Sequence, residues 1–188
     1  MSITLATKVT IGRILLVPFF ITTVLDFSPE RPYLRWVALG LFLTAVISDV
    51  IDGYIARVYK QKSVAGAILD PLADKMLLIS AFICLYVQRA NFEIAFPLWF
   101  VVAIISRDII LLLGAMIIQL VTGKLEIEAN RSGKTTAFFQ IVCVLGMLLQ
   151  WPFTQVFWYV ALIATIVSGI IYIKKGIQAI NEHGLSGH

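Results

Sequence analysis

The chain consists of six long apolar segments separated by short polar stretches. A helix needs about 20 mainly apolar residues to cross the hydrocarbon core of a bilayer, and each segment meets or approaches this length. The segments are residues 9–27, 35–56, 68–88, 95–121, 135–151 and 154–173. Between the last two, Trp151, Pro152 and Phe153 leave room for only a tight turn. The pattern predicts an all-α integral membrane protein with six transmembrane helices.

Composition supports this prediction and bounds the number of domains. Of the 188 residues, 60% are hydrophobic and 14% are charged, whereas soluble domains carry roughly 25% charged residues. The sequence contains no repeat, low-complexity region or linker, so we expect a single domain over residues 1–188. Cys84 and Cys143 lie far apart in apolar segments, and they predict buried thiols rather than a disulfide framework or a zinc site.

The basic residues predict the orientation of the segments. Six spans place both termini on one side of the membrane, and nine of the 15 Lys and Arg residues fall on that side: Lys8, Arg57, Lys60, Lys62, Lys124, Arg131, Lys134, Lys174 and Lys175. The opposite loops hold three: Arg31, Arg35 and Arg89. The positive-inside rule therefore places the termini and the 57–67 loop in the cytoplasm. With a net charge of +4 and no long basic run, we expect contact with anionic lipid and no nucleic acid.

Four aspartates flank the 57–67 loop. Asp49 and Asp52 lie near the end of the second segment, and Asp70 and Asp74 open the third. Spacings of three and four residues put each pair on one helix face. Carboxylates beside apolar helix are costly unless cations neutralise them, and four negative charges balance two divalent ions. Because carboxylate oxygens favour Mg²⁺ or Mn²⁺, the aspartates predict a two-ion site in a polar cavity at the cytoplasmic side.

A two-ion site of this kind predicts a reaction of a diphosphate with an alcohol. Two ions can bind the oxygens of a diphosphate and offset charge on a leaving group, and a carboxylate can take a proton from an attacking alcohol. The structural alternative is a set of interfacial salt bridges to Arg57, Lys60, Lys62 and Lys75, with Gly53 and Gly66 serving close helix packing. The fixed offsets of Gly53, Arg57 and Gly66 from both pairs favour the metal site.

The pattern from Asp49 to Asp74 reads D-x2-D-G-x2-A-R-x8-G-x3-D-x3-D. It resembles the signature of the CDP-alcohol phosphotransferase family at every named position, and the six spans and the chain length fit that family too. The resemblance implies transfer of a phosphatidyl or similar phosphoryl group from a CDP-linked donor to an alcohol, with release of CMP. It also implies a homodimer. The chain is most similar to members that use CDP-diacylglycerol and glycerol 3-phosphate.

The resemblance assigns roles to individual residues. Asp49, Asp52, Asp70 and Asp74 would hold the metal, and Asp74 would also act as the catalytic base. Contacts to the CDP donor would come from Thr10, Asp49, Gly53, Arg57, Ser63 and Gly66. At the N-terminus, Thr10 and Arg13 resemble a Thr and an Arg, three residues apart, that precede an apolar helix in similar members.

The acceptor site is predicted from charge. Glycerol 3-phosphate is a dianion, and its phosphate would be bound by Arg107, Arg131 and Lys134. Arg107 stands in a long apolar run, so it should face a polar cavity or pair with an aspartate on another helix. Its neighbour Asp108 is expected to face elsewhere on the helix. Arg131 and Lys134 have a second interpretation as anchors on the cytoplasmic side.

Departures from the family pattern leave the acceptor open. Thr7 stands where an Asn is frequent, and Asp108 replaces a Glu. Thr136 stands where a second Lys is usual, which removes a cation from the presumed acceptor side. Cardiolipin or phosphatidylinositol-phosphate synthesis therefore remains an alternative within the family. Outside it, the alternatives are a membrane prenyltransferase, which also binds a diphosphate through two Asp-rich motifs, and a transporter with an acidic cation site. The element from Gly53 to Arg57 favours the CDP-linked donor.

Overall fold

A computed structural model describes the backbone of residues 5–58, 64–122 and 131–185, and the side chains of residues 11–51, 75–114 and 133–174. Within these ranges the chain is helical and contains no strand. The helices are α1 (Leu5–Leu25), α2 (Tyr33–Val58), α3 (Val64–Val87), α4 (Leu98–Thr122), α5 (Arg131–Leu149) and α6 (Thr154–Leu185), with a short 3-10 helix at Arg89–Asn91. The all-α prediction is confirmed, and each apolar segment corresponds to one α-helix.

Several helices extend beyond the apolar segments that predicted them. α3 begins at Val64 rather than at residue 68, and α6 continues to Leu185 rather than ending at residue 173. Hydropathy measures transfer of side chains to an apolar phase, whereas backbone hydrogen bonds of a helix also form where the side chains are polar. The apolar segments therefore locate the helices but underestimate their polar ends.

The helices fall into two compact units. The first unit comprises Met1–Phe96 with Val144–Pro152, and the second comprises Pro97–Cys143 with Phe153–His188. In the first unit α1 packs along both α2 and α3, and in the second unit α4 packs against α6. The single helix α1 therefore contacts both helices that carry the aspartate pairs.

Phenylalanine side chains form much of the core of the first unit. The rings of Phe20 and Phe42 lie 5.8 Å apart between their centroids and join α1 to α2. Those of Phe82 and Phe96 lie 5.1 Å apart and join α3 to the segment before α4. Because all four side chains are buried, these contacts contribute apolar burial that stabilises the packing of α1 on α2 and of α3 on the segment before α4.

The connections between helices meet at one end of the first unit. The Gln88 side chain donates to the carbonyl of Leu25, and Asn91 Nδ2 donates to the carbonyl of Phe27 at 3.2 Å. The rings of Phe27 and Phe92 stack at 4.6 Å between centroids. The α1–α2 and α3–α4 connections thus lie together, as an up-and-down path of the chain requires.

The predicted tight turn between α5 and α6 is confirmed, and it joins the same group of connections. Gln150 adopts a left-handed conformation with φ of 55°, and the amide of Trp151 donates to the Gly146 carbonyl at 2.8 Å, closing the end of α5. The Gln150 side chain accepts from the Ile94 amide at 2.9 Å and donates to the Ile94 carbonyl at 3.3 Å. These two bonds hold a residue other than glycine in a conformation that favours glycine.

We expect Gln150→Ala to destabilise the protein more than Gln150→Gly. Both changes remove the bonds to Ile94, but glycine also relieves the cost of the left-handed conformation, which is about 1 kcal/mol. Thermal unfolding of the purified variants in detergent would measure the difference. Equal unfolding temperatures would contradict the strain at Gln150.

The helices expose an apolar surface typical of a membrane-associated protein. Among residues with described side chains, Tyr33–Ile51 and Thr154–Lys174 are long and apolar enough to span a bilayer. Only 17% and 22% of their apolar windows are buried, whereas the core helix of a soluble protein would be mostly buried. Phe19 and Ile163 are exposed in the same way, and so much apolar surface requires a lipid or protein environment.

Candidate functional site

The two aspartate pairs lie in two helices, as their spacing predicts. α2 runs without a break through Asp49 and Asp52, and α3 runs through Asp70 and Asp74. The members of each pair therefore share one helix face. The side chain of Asp49 is described, whereas those of Asp52, Asp70 and Asp74 lie outside the described residues, so the metal set and the base remain predictions.

The predicted donor contacts fall mostly outside the described side chains. Thr10 belongs to α1, Gly53 and Arg57 to α2, and Gly66 to α3. Ser63 lies outside the described residues altogether. Their roles also remain predictions, although four of them are placed on the three helices that pack together in the first unit.

Asp49 forms an ion pair that the aspartate spacing did not indicate. Arg13 on α1 places its Nη1 2.6 Å from Asp49 Oδ1, and the side chains are 1% and 45% exposed, respectively. A buried arginine in an apolar helix needs such a partner because an isolated buried charge is costly. The sequence signal was present, since Arg13 is a charge within an apolar segment, but the spacing could not identify which aspartate it meets.

The described part of the site is compatible with a hard cation. The Asp49 carboxylate is about half exposed, so it remains accessible while one of its oxygens contacts Arg13. Carboxylate oxygens are the ligands that Mg²⁺ and Mn²⁺ prefer. No group of three His, Cys, Asp or Glu residues gathers among the described side chains, and three of the four predicted ligands fall outside them.

A second polar cluster is buried in the second unit and draws on α4, α5 and α6. Arg107 Nη1 lies 2.6 Å from Asp108 Oδ1, and Arg107 Nη2 donates to Ser168 Oγ. Gln140 Nε2 donates a long bond of 3.5 Å to Asp108 Oδ2. All four side chains are buried. The Arg107 guanidinium is bound by Asp108 of its own helix and by Ser168 of α6.

Arg107 pairs with its neighbour Asp108, although the two positions face different directions on the helix. Adjacent positions diverge around a helix, but the arginine side chain is long enough to fold back along its own helix to a neighbouring carboxylate. Burial supplies the driving force, because Asp108 is 1% exposed and Arg107 is 9% exposed and neither charge is stable alone in that environment. The pair neutralises both charges within α4.

The guanidinium of Arg107 keeps donor capacity after these contacts. Arginine has five N–H donors, and the contacts to Asp108 and Ser168 involve Nη1 and Nη2. Arg107 Nε is buried and has no hydrogen-bond partner among the described residues. The cluster therefore orients the guanidinium without using all of its donors.

The other predicted acceptor residues differ in their surroundings. Lys134 is exposed in the first turn of α5, and the side chain of Arg131 lies outside the described residues. Thr136, which stands where a lysine is usual in the family, is fully buried. Its Oγ1 donates to the Ala164 carbonyl at 3.1 Å, so this threonine helps to pack α5 against α6.

Comparison with known proteins identifies the family. The family model described as CDP-alcohol phosphatidyltransferase matches residues 3–167. The chain belongs to the CDP-alcohol phosphatidyltransferase family. It is therefore an enzyme of the phosphatidyltransferase class, and family membership sets aside the prenyltransferase and cation-transporter alternatives.

Two bacterial members of the family are similar along most of their length. The chain is 34% identical over 193 residues to the CDP-diacylglycerol–glycerol-3-phosphate 3-phosphatidyltransferase of Bacillus subtilis (strain 168), covering 94% of this chain and 96% of that protein. It is 28% identical to the enzyme of the same name from Haemophilus influenzae, covering 90% and 87%. A cardiolipin synthase (CMP-forming) of Oryza sativa subsp. japonica is 41% identical over 83 residues, covering 44% of this chain and 24% of that protein.

Proposed function

We propose that the chain is a CDP-diacylglycerol–glycerol-3-phosphate 3-phosphatidyltransferase of phospholipid biosynthesis. It would transfer a phosphatidyl group to glycerol 3-phosphate and release CMP. The observation that carries this proposal is the similarity to the Bacillus subtilis enzyme, which extends over 94% of this chain and 96% of that relative. The complete D-x2-D-G-x2-A-R-x8-G-x3-D-x3-D pattern supports the same reaction.

We infer that all six α-helices span the bilayer, with the active-site cavity facing the cytoplasm and the enzyme acting as a homodimer. In the first unit the α1–α2, α3–α4 and α5–α6 connections lie together, which supports a chain that crosses the bilayer once with each helix. Two exposed aromatic side chains beside these connections of the first unit, Trp36 and Trp151, fit a membrane-interface belt on the side opposite the cytoplasm. The basic residues concentrate at the other ends of the helices.

The proposed site would bind the donor at the junction of α2 and α3. Acyl chains of CDP-diacylglycerol would remain in the bilayer, while Thr10, Gly53, Arg57, Ser63 and Gly66 contact the cytidine diphosphate. Two Mg²⁺ or Mn²⁺ ions, held by Asp49, Asp52, Asp70 and Asp74, would supply electrostatic stabilisation of the diphosphate. Arg57 would add positive charge beside the departing CMP.

The acceptor hydroxyl would be activated by Asp74. Its carboxylate would take the proton from the primary hydroxyl of glycerol 3-phosphate, and the oxygen would attack the β-phosphorus as CMP leaves. Arg107, Arg131 and Lys134 would bind the acceptor phosphate. The buried contacts of Arg107 with Asp108 and Ser168 support its part, because they fix the guanidinium in one orientation.

Phosphatidylglycerol is the second candidate acceptor, which would make the product cardiolipin. The similarity to the rice cardiolipin synthase favours it over other alcohols, but that similarity covers 44% of this chain. Phosphatidylglycerol carries one phosphodiester charge rather than a dianion, so it would need fewer cations. The three candidate phosphate-binding residues therefore favour glycerol 3-phosphate.

CMP release tests the proposed function. Purified protein in detergent with CDP-diacylglycerol and Mg²⁺ should release CMP when glycerol 3-phosphate is added. Parallel reactions would contain phosphatidylglycerol, inositol phosphate or water alone, and Asp49→Asn protein would control for contaminating enzymes. Release with only phosphatidylglycerol or inositol phosphate would reassign the acceptor, and absence of release with every acceptor would overturn the proposal.

A further inference from the structure

We propose that Arg13 is a positioning residue of the metal site, which fixes Asp49 and weakens the binding of divalent ions by its own charge. The inference rests on the proposed function, because it assumes that Asp49 is a metal ligand. Its consequence is a site that holds its ions less tightly than four carboxylates alone would hold them. The guanidinium would act as a permanent counter-charge.

The packing of α1 places Arg13 at this position. α1 contacts both α2 and α3, which carry the two aspartate pairs. Arg13 is 2% exposed, and its Nη1 lies 2.6 Å from Asp49 Oδ1. The arginine therefore contributes a fixed charge from a third helix to the motif carried by the other two.

The unequal exposure of the two side chains separates their roles. The Arg13 side chain is 1% exposed and the Asp49 side chain is 45% exposed. The carboxylate can therefore meet a ligand from solvent while its partner remains enclosed. The ion pair of one carboxylate oxygen with the enclosed guanidinium limits rotation of the carboxylate, as outer contacts do for many metal ligands.

Arg13 would affect ion binding in two opposite ways. Holding one short side chain in place improves a binding constant by about two- to fivefold, because little rotamer entropy is involved. Repulsion between a single positive charge and a divalent ion a few ångströms away weakens it by about tenfold, even at the dielectric constant of water. Repulsion is the larger effect, so removal of the charge should tighten ion binding while loss of orientation slows turnover.

A purely structural salt bridge predicts a different result. If Arg13 only joined α1 to α2, its loss would lower stability by the same amount with and without ions. The affinity for ions would then be unchanged in the protein that remains folded. Ion affinity is therefore the measurement that separates the two roles.

The test compares Arg13→Gln, Arg13→Lys and a matched control in the same unit. Arg35→Gln makes the same change on α2, where the guanidinium stacks over the Trp36 ring at 5.5 Å. The two positions Arg35 and Asp49 are separated by about 21 Å along the helix, at about 1.5 Å per residue. Free Mn²⁺ would be measured by electron paramagnetic resonance during titration of each purified protein in detergent, and CMP release would be measured in parallel.

We expect Arg13→Gln to lower the dissociation constant for Mn²⁺ by about two- to fivefold, the net of the two effects, and to reduce turnover by about tenfold or more. Arg13→Lys keeps the charge and loses the planar fork, so its Mn²⁺ affinity should stay within about twofold of wild type while turnover falls. Arg35→Gln should match wild type in both measurements.

Unchanged or weaker Mn²⁺ binding by Arg13→Gln would overturn the inference, and so would a several-fold change in Arg35→Gln. If Arg13→Gln does not fold, Arg13→Lys decides, because a large change in its Mn²⁺ affinity would exclude the charge effect. Wild-type protein that binds no Mn²⁺ would overturn the metal site itself. If the proposed function is wrong but the metal site is present, wild-type protein would bind Mn²⁺ and release no CMP.

Discussion

Replacement of Asp74 by asparagine is expected to reduce turnover by about 10²- to 10⁴-fold, the usual contribution of a general base, while part of the donor binding is retained. Asparagine keeps the size of the side chain and one oxygen, but it cannot accept the proton of the acceptor hydroxyl. The affinity for CDP-diacylglycerol should fall much less than turnover. CMP release at saturating substrate and equilibrium binding of the donor would measure the two effects separately.

Two further variants separate the base from a metal ligand. Asp49→Asn removes a predicted ligand that is not the base, so high Mn²⁺ should restore part of its turnover and should not restore that of Asp74→Asn. Asp26→Asn makes the same chemical change at an exposed residue in the α1–α2 connection and should behave as wild type. Near-wild-type turnover of Asp74→Asn would remove Asp74 from the role of base.

The positions of the helices could be predicted from the sequence because each helix contains a long apolar segment. The turn at Trp151, Pro152 and Phe153 separated α5 from α6 within a nearly continuous apolar stretch. Hydropathy could not predict the extension of α6 to Leu185, since the residues after 173 include many polar ones and hydropathy does not detect their helical bonds. The left-handed Gln150 was also missed, because its stabilising partner is the distant backbone of Ile94.

For the candidate site, the sequence predicted which residues share a helix but not which side chains meet. The spacings within each aspartate pair are local, so they follow from the geometry of one helix. The contact between Arg13 and Asp49 depends on how α1 packs against α2. The contact between Arg107 and Asp108 depends on the conformation of a long side chain. In both cases the useful signal was an arginine within an apolar segment, which must find a partner.

Replacement of Arg107 by glutamine is expected to destabilise the protein by about 3–5 kcal/mol. The change removes the guanidinium that pairs with Asp108, and the Asp108 carboxylate is 1% exposed. Thermal unfolding in detergent would measure this loss. Asp108→Asn should also destabilise the protein, since it leaves the charge of Arg107 without its carboxylate.

The double variant Arg107→Gln/Asp108→Asn removes both charges together. Two neutral amides can still hydrogen-bond each other, so we expect most of the lost stability to return. Any remaining defect then reflects the absence of the guanidinium rather than a damaged fold. The same protein should be compared with wild type for the KM of each substrate.

If Arg107 binds the acceptor phosphate, the KM of the double variant for glycerol 3-phosphate should remain about tenfold to a hundredfold above wild type, the loss expected for a charged hydrogen bond. The KM for CDP-diacylglycerol should change by less than about twofold, because neither Arg107 nor Asp108 is among the proposed donor contacts. If the pair serves only packing, the double variant should recover normal kinetics for both substrates along with its stability. Normal kinetics in the double variant would therefore exclude Arg107 from the acceptor site and leave Arg131 and Lys134 as the candidate phosphate ligands.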